Sequence, residues 1–376
     1  MRATQRLRVL LLIPHLGGGG AERVTALLAR ELSREKFELH LGVVTQTDQE
    51  AGQQFAGMQV HALGARRVRS GALRLLRLVR ELRPDAILSG MAHLNFLVLL
   101  MRPLFPRKTR VLVRQNSTAS VAIEFGVLPA YTRLLYRRLY WRADRVICQT
   151  EAMAADIASV AGISASKVVV LPNPIDVEAI GSSGDDEPVD WPERGAAGPH
   201  LLAVGRLSGE KGFDLLLEAL AQVRSTFPNA DLLIAGAGPE EAALKQLCAD
   251  LKLQPAVRFA GNVDDPARYF SGATLFVLSS RHEGLPNALL EAAAGGLPIV
   301  ALPSSHGVVD LLRAQDGVWL AKDISALALA EVLRSALGAL QPGGRFAHRF
   351  VDSFRLKDAI TAYETLIDQI VSEARR

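Results

Sequence analysis

Short apolar runs alternate along the chain with longer stretches of helical periodicity. Arg8-Val9-Leu10-Leu11-Leu12-Ile13 reads as a strand, Ala21 to Ser33 as the helix after it, and Leu39 to Val44 as the next strand. Gly71 to Arg83 has a helical period, and Ala86 to Leu88, Val111 to Val113, Val146 to Cys148 and Val168 to Leu171 read as further strands. Between Gly181 and Pro199 the period stops, and Gly, Ser, Asp, Pro and Glu dominate, as in a linker or long loop. The alternation then resumes with Leu201 to Val204, a helix from Phe213 to Thr226, Asp231 to Ala235, a helix from Glu240 to Leu251, Val257 to Phe259 and a strand at Phe276 to Ser280. Repeated β–α units predict parallel sheets covered by helices. Two such sets joined by a linker predict an α/β chain of two doubly wound, Rossmann-like domains facing a cleft, spanning residues 1–180 and 200–353 with a linker at 181–199. No internal repeat is visible.

Composition bears on compartment and partners. Apolar residues make up 49% of the 376, enough for sizeable cores. The longest unbroken apolar run, Phe96 to Met101, is far short of the roughly 20 residues that span a bilayer. Arg2, Arg6 and Arg8 followed by Val9 to Ile13 imitate a signal peptide, but the run is too short and leads into glycines, so it reads as a first strand. Cys148 and Cys248 lie far apart, which argues against a disulfide framework and for the cytosol, both reading as small core residues. Residues 1–180 carry 25 Lys and Arg against 14 Asp and Glu, a balance of +11, and the remainder carries −7. An asymmetry of this size points to an anionic partner for the first half. Arg74, Arg77 and Arg80 stand beside Leu73, Leu76 and Leu82. Arg133, Arg137, Arg138 and Arg142 interleave with Tyr136, Tyr140 and Trp141, and Leu104-Phe105 is flanked by Arg102, Arg107 and Lys108. Basic residues among interfacial aromatics suggest an anionic lipid surface rather than nucleic acid, for which no motif is present; ordinary solvated helix faces are the plainer reading.

The most informative segment is Arg281-His282-Glu283-Gly284-Leu285-Pro286-Asn287-Ala288-Leu289-Leu290-Glu291. After a buried strand it places a Glu-Gly turn and then a helix, with Pro286 suited to the helix's first turn. Backbone N–H groups at a helix start favour an anion, and Glu283 and Glu291 add two acceptors around it. Phosphates and hydroxyls together describe a nucleotide sugar. Gly17 to Gly20, between a strand and a helix, lets a ligand approach the backbone. A dinucleotide site would need G-x-G-x-x-G or A, and the last position falls on Glu22 or Arg23, although Asp48 would suit a ribose. Asp264-Asp265, followed by Pro266 and Ala267, reads as a helix start rather than a metal pair, and His15, His282 and His306 read as structural.

The Glu283-to-Glu291 segment resembles the E-x7-E signature of the family 4 retaining glycosyltransferases. Four more segments resemble family landmarks in the family's order: Gly17 to Arg23, Leu171 to Asp176, Val204 to Gly212 and Ile234 to Pro239. The resemblance implies the GT-B architecture, with residues 354–376 forming a last helix that packs back on the N-terminal, acceptor-side domain. It assigns Arg206 and Lys211 to the diphosphate that gains charge as the glycosidic bond breaks, where two cations favour the transition state over the ground state. It assigns Glu283 to the donor sugar's hydroxyls and Glu291 to the ribose, with Gly236 and the N–H groups of Leu285, Asn287 and Ala288 nearby, and Gly18, Gly19 and Gly20 beneath the reacting sugar. The family histidine after the fourth strand corresponds here to Gly90; either His93, three residues on, or Asn95 faces the cleft in its place, or both are structural, and Asn116, at the end of a strand, is a weaker candidate. The implied protein is a metal-independent retaining transferase without a cofactor, peripheral on the inner face of the plasma membrane. It would move a hexosyl or N-acetylhexosaminyl unit from a nucleotide sugar, a UDP-sugar by family habit, to a lipid-linked or oligosaccharide acceptor in surface-polysaccharide synthesis, with no nucleic acid involved. A nucleotide-sugar epimerase of the same fold, or a non-catalytic basic nucleotide- or nucleic-acid-binding protein, are the alternatives.

Overall fold

The computed structural model describes residues 6–15, 20–45, 58–182, 191, 198–263, 265–341 and 343–375. The chain divides into two units, Met1–Pro174 with Leu356–Arg376, and Ile175–Arg355.

The first unit is built on β1 (Leu7–Ile13), α1 (Gly20–Glu31), β2 (Phe37–Val43), β3 (Gln59–Ala62), α2 (Ala72–Leu82), β4 (Ala86–Gly90), α3 (Ala92–Met101), β5 (Arg110–Arg114), α4 (Ala119–Glu124), α5 (Thr132–Leu139), β6 (Arg145–Cys148), α6 (Glu151–Ala161) and β7 (Val168–Val170). The strands are parallel, in the order β3-β2-β1-β4-β5-β6-β7. Leu11 at the centre pairs with Leu41 and Leu88. A strand covered on both faces reads as an unbroken apolar run. Val9 to Ile13 are accordingly buried, the even residues in one core layer and the odd ones in the other. The order reverses between β1 and β4, and such a switch point opens a crevice at the carboxyl ends of the strands.

The helix Leu356–Arg375 completes this unit. Tyr363, Ile367, Ile370 and Val371 bury against Val9, Leu11, Leu112 and Ile147. Glu364 fixes the register, accepting from the Ser33 N–H at 2.9 Å and from Lys36 Nζ at 2.7 Å. The basic half differs from its sequence reading. Tyr136 and Tyr140 are fully buried and pack with Phe96, and Phe105 is buried too, so these aromatics are core rather than interfacial. Arg74 and Arg142 turn inward to backbone carbonyls at Leu63, Gly64, Leu99 and Leu100. Trp141 remains exposed, as do Arg133, Arg137 and Arg138.

The second unit holds α7 (Val177–Ser182), β8 (His200–Val204), α8 (Phe213–Val223), β9 (Asp231–Ala235), α9 (Glu241–Asp250), β10 (Val257–Gly261), β11 (Leu275–Leu278), α10 (Asn287–Ala294), β12 (Ile299–Ala301), α11 (His306–Leu312), β13 (Val318–Leu320) and α12 (Ala326–Ala339). Its parallel strands run β10-β9-β8-β11-β12-β13, with the switch point between β8 and β11.

Truncating a buried side chain on the C-terminal helix tests its place in the first unit's core. Ile367→Ala should cost about 2–5 kcal/mol, read by denaturant unfolding as a loss confined to the transition of the first unit. A loss below 1 kcal/mol would contradict the packing described.

Candidate active site

The loops after β8 and β11 leave neighbouring strands at the second unit's switch point, and they are tied together by named contacts. After β8 the chain runs through Gly205, Arg206, Leu207 and Ser208 into a short turn of 3-10 helix, Gly209–Lys211. Gly212 follows at φ +62°, and a Cβ there would stand 2.1 Å from the Ser279 carbonyl oxygen, so only glycine lets the two loops touch. Ser279 Oγ donates to the Lys211 carbonyl at 2.9 Å, and the Arg281 N–H to the Glu210 carbonyl at 2.8 Å.

Lys211 and Glu283 meet at the centre. Lys211 Nζ donates to Glu283 Oε1 at 2.6 Å, and Ser280 Oγ donates to the same oxygen at 2.6 Å. The Glu283 side chain is 10% exposed and the Lys211 side chain 24%, so the pair is shielded yet still reachable. Arg206 is exposed, and its guanidinium pairs with no carboxylate among the described residues. Beside them Arg281 grips Asp214 of α8 through both guanidinium nitrogens, at 2.7 and 2.5 Å, and also donates to the Gly209 carbonyl. Burial pushes the Asp214 carboxyl up, but the Arg281 guanidinium more than offsets it and holds the acid below its usual range. Burial lowers the His282 pKa from the ordinary imidazole value.

Pro286 caps α10 instead of entering its first turn, so the helix starts one residue later than its sequence suggests. Asn287 and Ala288 form that first turn, where N–H groups have no acceptor within the helix itself. Glu291 is half-buried in the second turn. Leu285 is buried with Ile175, Leu290 and Phe354, which anchors the turn. Gly236 closes the β9 end at φ +149°, its N–H donating to the Gly261 carbonyl at 2.7 Å. A Cβ on Gly236 would lie 1.8 Å from the Gly205 carbonyl oxygen, so glycine is what allows the β8 and β9 ends to close up.

Among the other candidates, Gly18, Gly19, Gly20, His93 and Asn116 belong to the first unit, and three of these are described. Gly20 begins α1, His93 lies in the first turn of α3, and Asn116 lies just beyond β5. Gly18, Gly19 and Asp48 lie outside the described residues. Desolvation by the surrounding chain first, and His15 second, hold the His93 pKa below the ordinary imidazole value, although the residue keeps an exposed surface. Met91, between β4 and α3, adopts φ +76° and ψ 127°, a costly backbone for a residue with a side chain, of the kind that gathers at functional sites. Asp265 caps the following 3-10 turn by accepting from the Ala267 N–H, as its sequence predicts, while Asp264 lies outside the described residues. Among the described residues no group of three His, Cys, Asp or Glu is placed to hold a metal ion. Sequence reasoning missed the Arg281–Asp214 brace, because nothing local announces a pairing across 67 residues.

Residues 18–179 match the model for Glycosyltransferase Family 4, and residues 198–338 match that for Glycosyl transferases group 1. The chain belongs to glycosyltransferase family 4. It is a glycosyltransferase with two Rossmann-like domains of the GT-B type. Among its relatives is the N-acetylgalactosamine-N,N'-diacetylbacillosaminyl-diphospho-undecaprenol 4-alpha-N-acetylgalactosaminyltransferase of Campylobacter jejuni, 28% identical over 80% of this chain and 82% of that protein. Another is the lipopolysaccharide core biosynthesis glycosyltransferase LpsE of Rhizobium meliloti, 28% identical over 83% and 82%. HepE of Anabaena, solved with UDP-glucose, superposes with a TM-score of 0.78 at 16% identity over 98% of this chain and all of that one, a likeness of fold.

The closure at Gly236 gives the family 4 protein a test. Gly236→Ala should destabilise the second unit by about 2 kcal/mol or more, since strain and a backbone clash combine. Unchanged thermal unfolding would refute the close approach.

Proposed function

We propose that this glycosyltransferase moves a hexosyl or N-acetylhexosaminyl unit, with retention, from a UDP-sugar to a hydroxyl of a lipid-linked glycan in surface-polysaccharide synthesis. The observation that carries the reading is the Lys211–Glu283 pair, with the exposed Arg206 on the same loop as Lys211, at the switch point and just before α10. In this reading the leaving diphosphate draws Lys211 from Glu283 and gathers Arg206 and the N–H groups of Asn287 and Ala288 around its growing charge. Glu283, released from the lysine, turns to hydroxyls of the transferred sugar. Glu291 accepts from the ribose, and Gly236 keeps the pocket floor free of side chain. Attack from the same face as the departing diphosphate fits retention without a protein nucleophile. The lipid-linked acceptor and the surface-glycan setting are supported by the names of the Campylobacter and Rhizobium relatives, and a UDP donor by the ligand of HepE.

Arg206→Ala and Lys211→Ala should each lower kcat on the order of 10²-fold, as for a lost electrostatic contact to the transition state. Purified variants with near-normal turnover would remove both residues from the mechanism. With neutralisation supplied by protein groups, transfer should also persist in excess EDTA; complete loss restored by Mg²⁺ or Mn²⁺ would overturn metal independence.

The membrane reading concerns the first unit. Leu73, Leu100, Leu104, Phe125, Val127, Tyr131, Leu134 and Trp141 are all more than half exposed, and Arg133, Arg137 and Arg138 are exposed among them in sequence. No helix among the described residues is long and apolar enough to cross a membrane. Each Lys or Arg near an anionic surface contributes roughly 1 kcal/mol. The protein should therefore float with anionic vesicles at low salt, less at high salt, and little with neutral ones. Replacing Arg133, Arg137 and Arg138 together should weaken flotation and spare transfer to a soluble acceptor. Equal flotation with neutral and anionic vesicles would show the arginines to be ordinary solvated residues.

A further inference from the structure

Glu283 has two carboxylate oxygens, and the chain engages one of them. Oε1 accepts from Lys211 Nζ and from Ser280 Oγ, each at 2.6 Å. Among the described residues no group donates to Oε2. The two donors differ in their freedom. The Lys211 ammonium ends a flexible four-carbon stem, and its side chain is 24% exposed, so it can swing toward another anion. Ser280 stands two residues beyond the end of β11 and is 2% exposed. Its hydroxyl has a single proton, and that proton is committed to Oε1. A spacing of 2.6 Å belongs to a hydroxyl given to a charged oxygen, a bond about twice as strong as one between neutral groups.

The neighbouring residue makes the matching tie on the other loop. Ser279 Oγ donates to the Lys211 carbonyl at 2.9 Å, and the Glu283 N–H donates to the Ser304 carbonyl at 3.3 Å. The main chains of both partners and the glutamate's side chain are thus held, and the ammonium is the part left to move. Once it moves, Ser280 is the donor that remains on Oε1. A carboxylate only 10% exposed and stripped of both donors would carry a desolvation cost. It would also be free to turn about its last side-chain bond, where the preference is broad and two-fold. The serine prevents both, and it leaves Oε2 as the oxygen available to a ligand.

We propose that Ser280 is a positioning residue of the transferase, holding Oε1 of Glu283 after Lys211 has left so that Oε2 accepts from a hydroxyl of the transferred sugar. This role rests on the function proposed above and deepens it. The two oxygens of one carboxylate take different tasks, and a serine that does not touch the substrate decides which is which.

Ser280→Ala removes the donor and keeps the glutamate. Transfer would be measured with UDP-glucose, UDP-galactose and UDP-N-acetylgalactosamine. For a sugar that is turned over, kcat/KM should fall about tenfold or more, as for a lost hydrogen bond to a charged group. Kd for UDP, read by calorimetry, should stay unchanged, because UDP brings no sugar hydroxyl to Oε2. Ser280→Cys fills the same place with a weak donor and should lose activity in the same way, which decides the matter if the alanine variant does not fold. Two double variants separate positioning from mere support of the ion pair. Added to Glu283→Ala, the Ser280→Ala change should cost nothing further, since the serine acts through that carboxylate. Added to Lys211→Ala, it should cost its full factor again, since the serine acts once the lysine has gone. A wild-type kcat/KM in Ser280→Ala or Ser280→Cys would overturn the role. So would a loss that disappears in the Lys211→Ala background, or one matched by an equal loss of UDP affinity. A wild-type protein that turns over none of the three sugars would overturn the donor reading first, and this role with it.

Discussion

The divergence of two parallel strands is the constraint on which the second unit's candidate site depends. β8 and β11 are hydrogen-bonded neighbours, yet the chain leaves them toward strands on opposite sides of the sheet. The two loops therefore emerge side by side, with no crossover helix closing the space between them. Lys211 comes from one loop and Glu283 from the other, and their contact spans the seam. Gly212 lets the backbones approach, and the Arg281–Asp214 grip keeps them there. The same topology recurs at β1 and β4 of the first unit, where Gly20, Gly90 and the strained Met91 mark the strand ends.

The Lys211–Glu283 ion pair at this seam has an electrostatic logic. Two opposite charges satisfy each other, so neither is left costly and partly desolvated. Under the proposed function, an arriving diphosphate competes for the lysine and frees the glutamate for hydroxyls. One contact would then exchange for two, each suited to a different part of the ligand.

The fold was legible wherever burial imposed a pattern. β1, β5, β6, β9 and β11 are apolar runs because both faces of a parallel sheet are covered, and their expected limits lie within two residues of the observed ones. β3, with the sequence Gln-Val-His-Ala, escaped because an edge strand needs no such run. The segments carrying Arg206, Lys211, Glu283 and Glu291 stood out because strand, turn glycine and helix start follow in order. Tyr136 and Tyr140 were misread, since an aromatic between arginines looks the same from sequence whether it faces solvent or core. Arg114 was missed for a related reason: in a half so rich in arginine, nothing local separates one buried cation from its solvated neighbours. Its partners at Asn173 and Tyr363 lie 59 and 249 residues away.

The C-terminal helix gives the chain an unusual order of completion. Everything the second unit needs, residues 175–355, is made before the helix that finishes the first. A ribosome therefore releases a nearly whole N-terminal sheet whose face lacks Tyr363, Ile367 and Ile370, and whose Arg114 lacks the Tyr363 hydroxyl. The usual order, in which the domain nearer the amino terminus is completed first during synthesis, cannot hold for a unit whose helix is made after residue 355. The second unit has all of its residues before the first does.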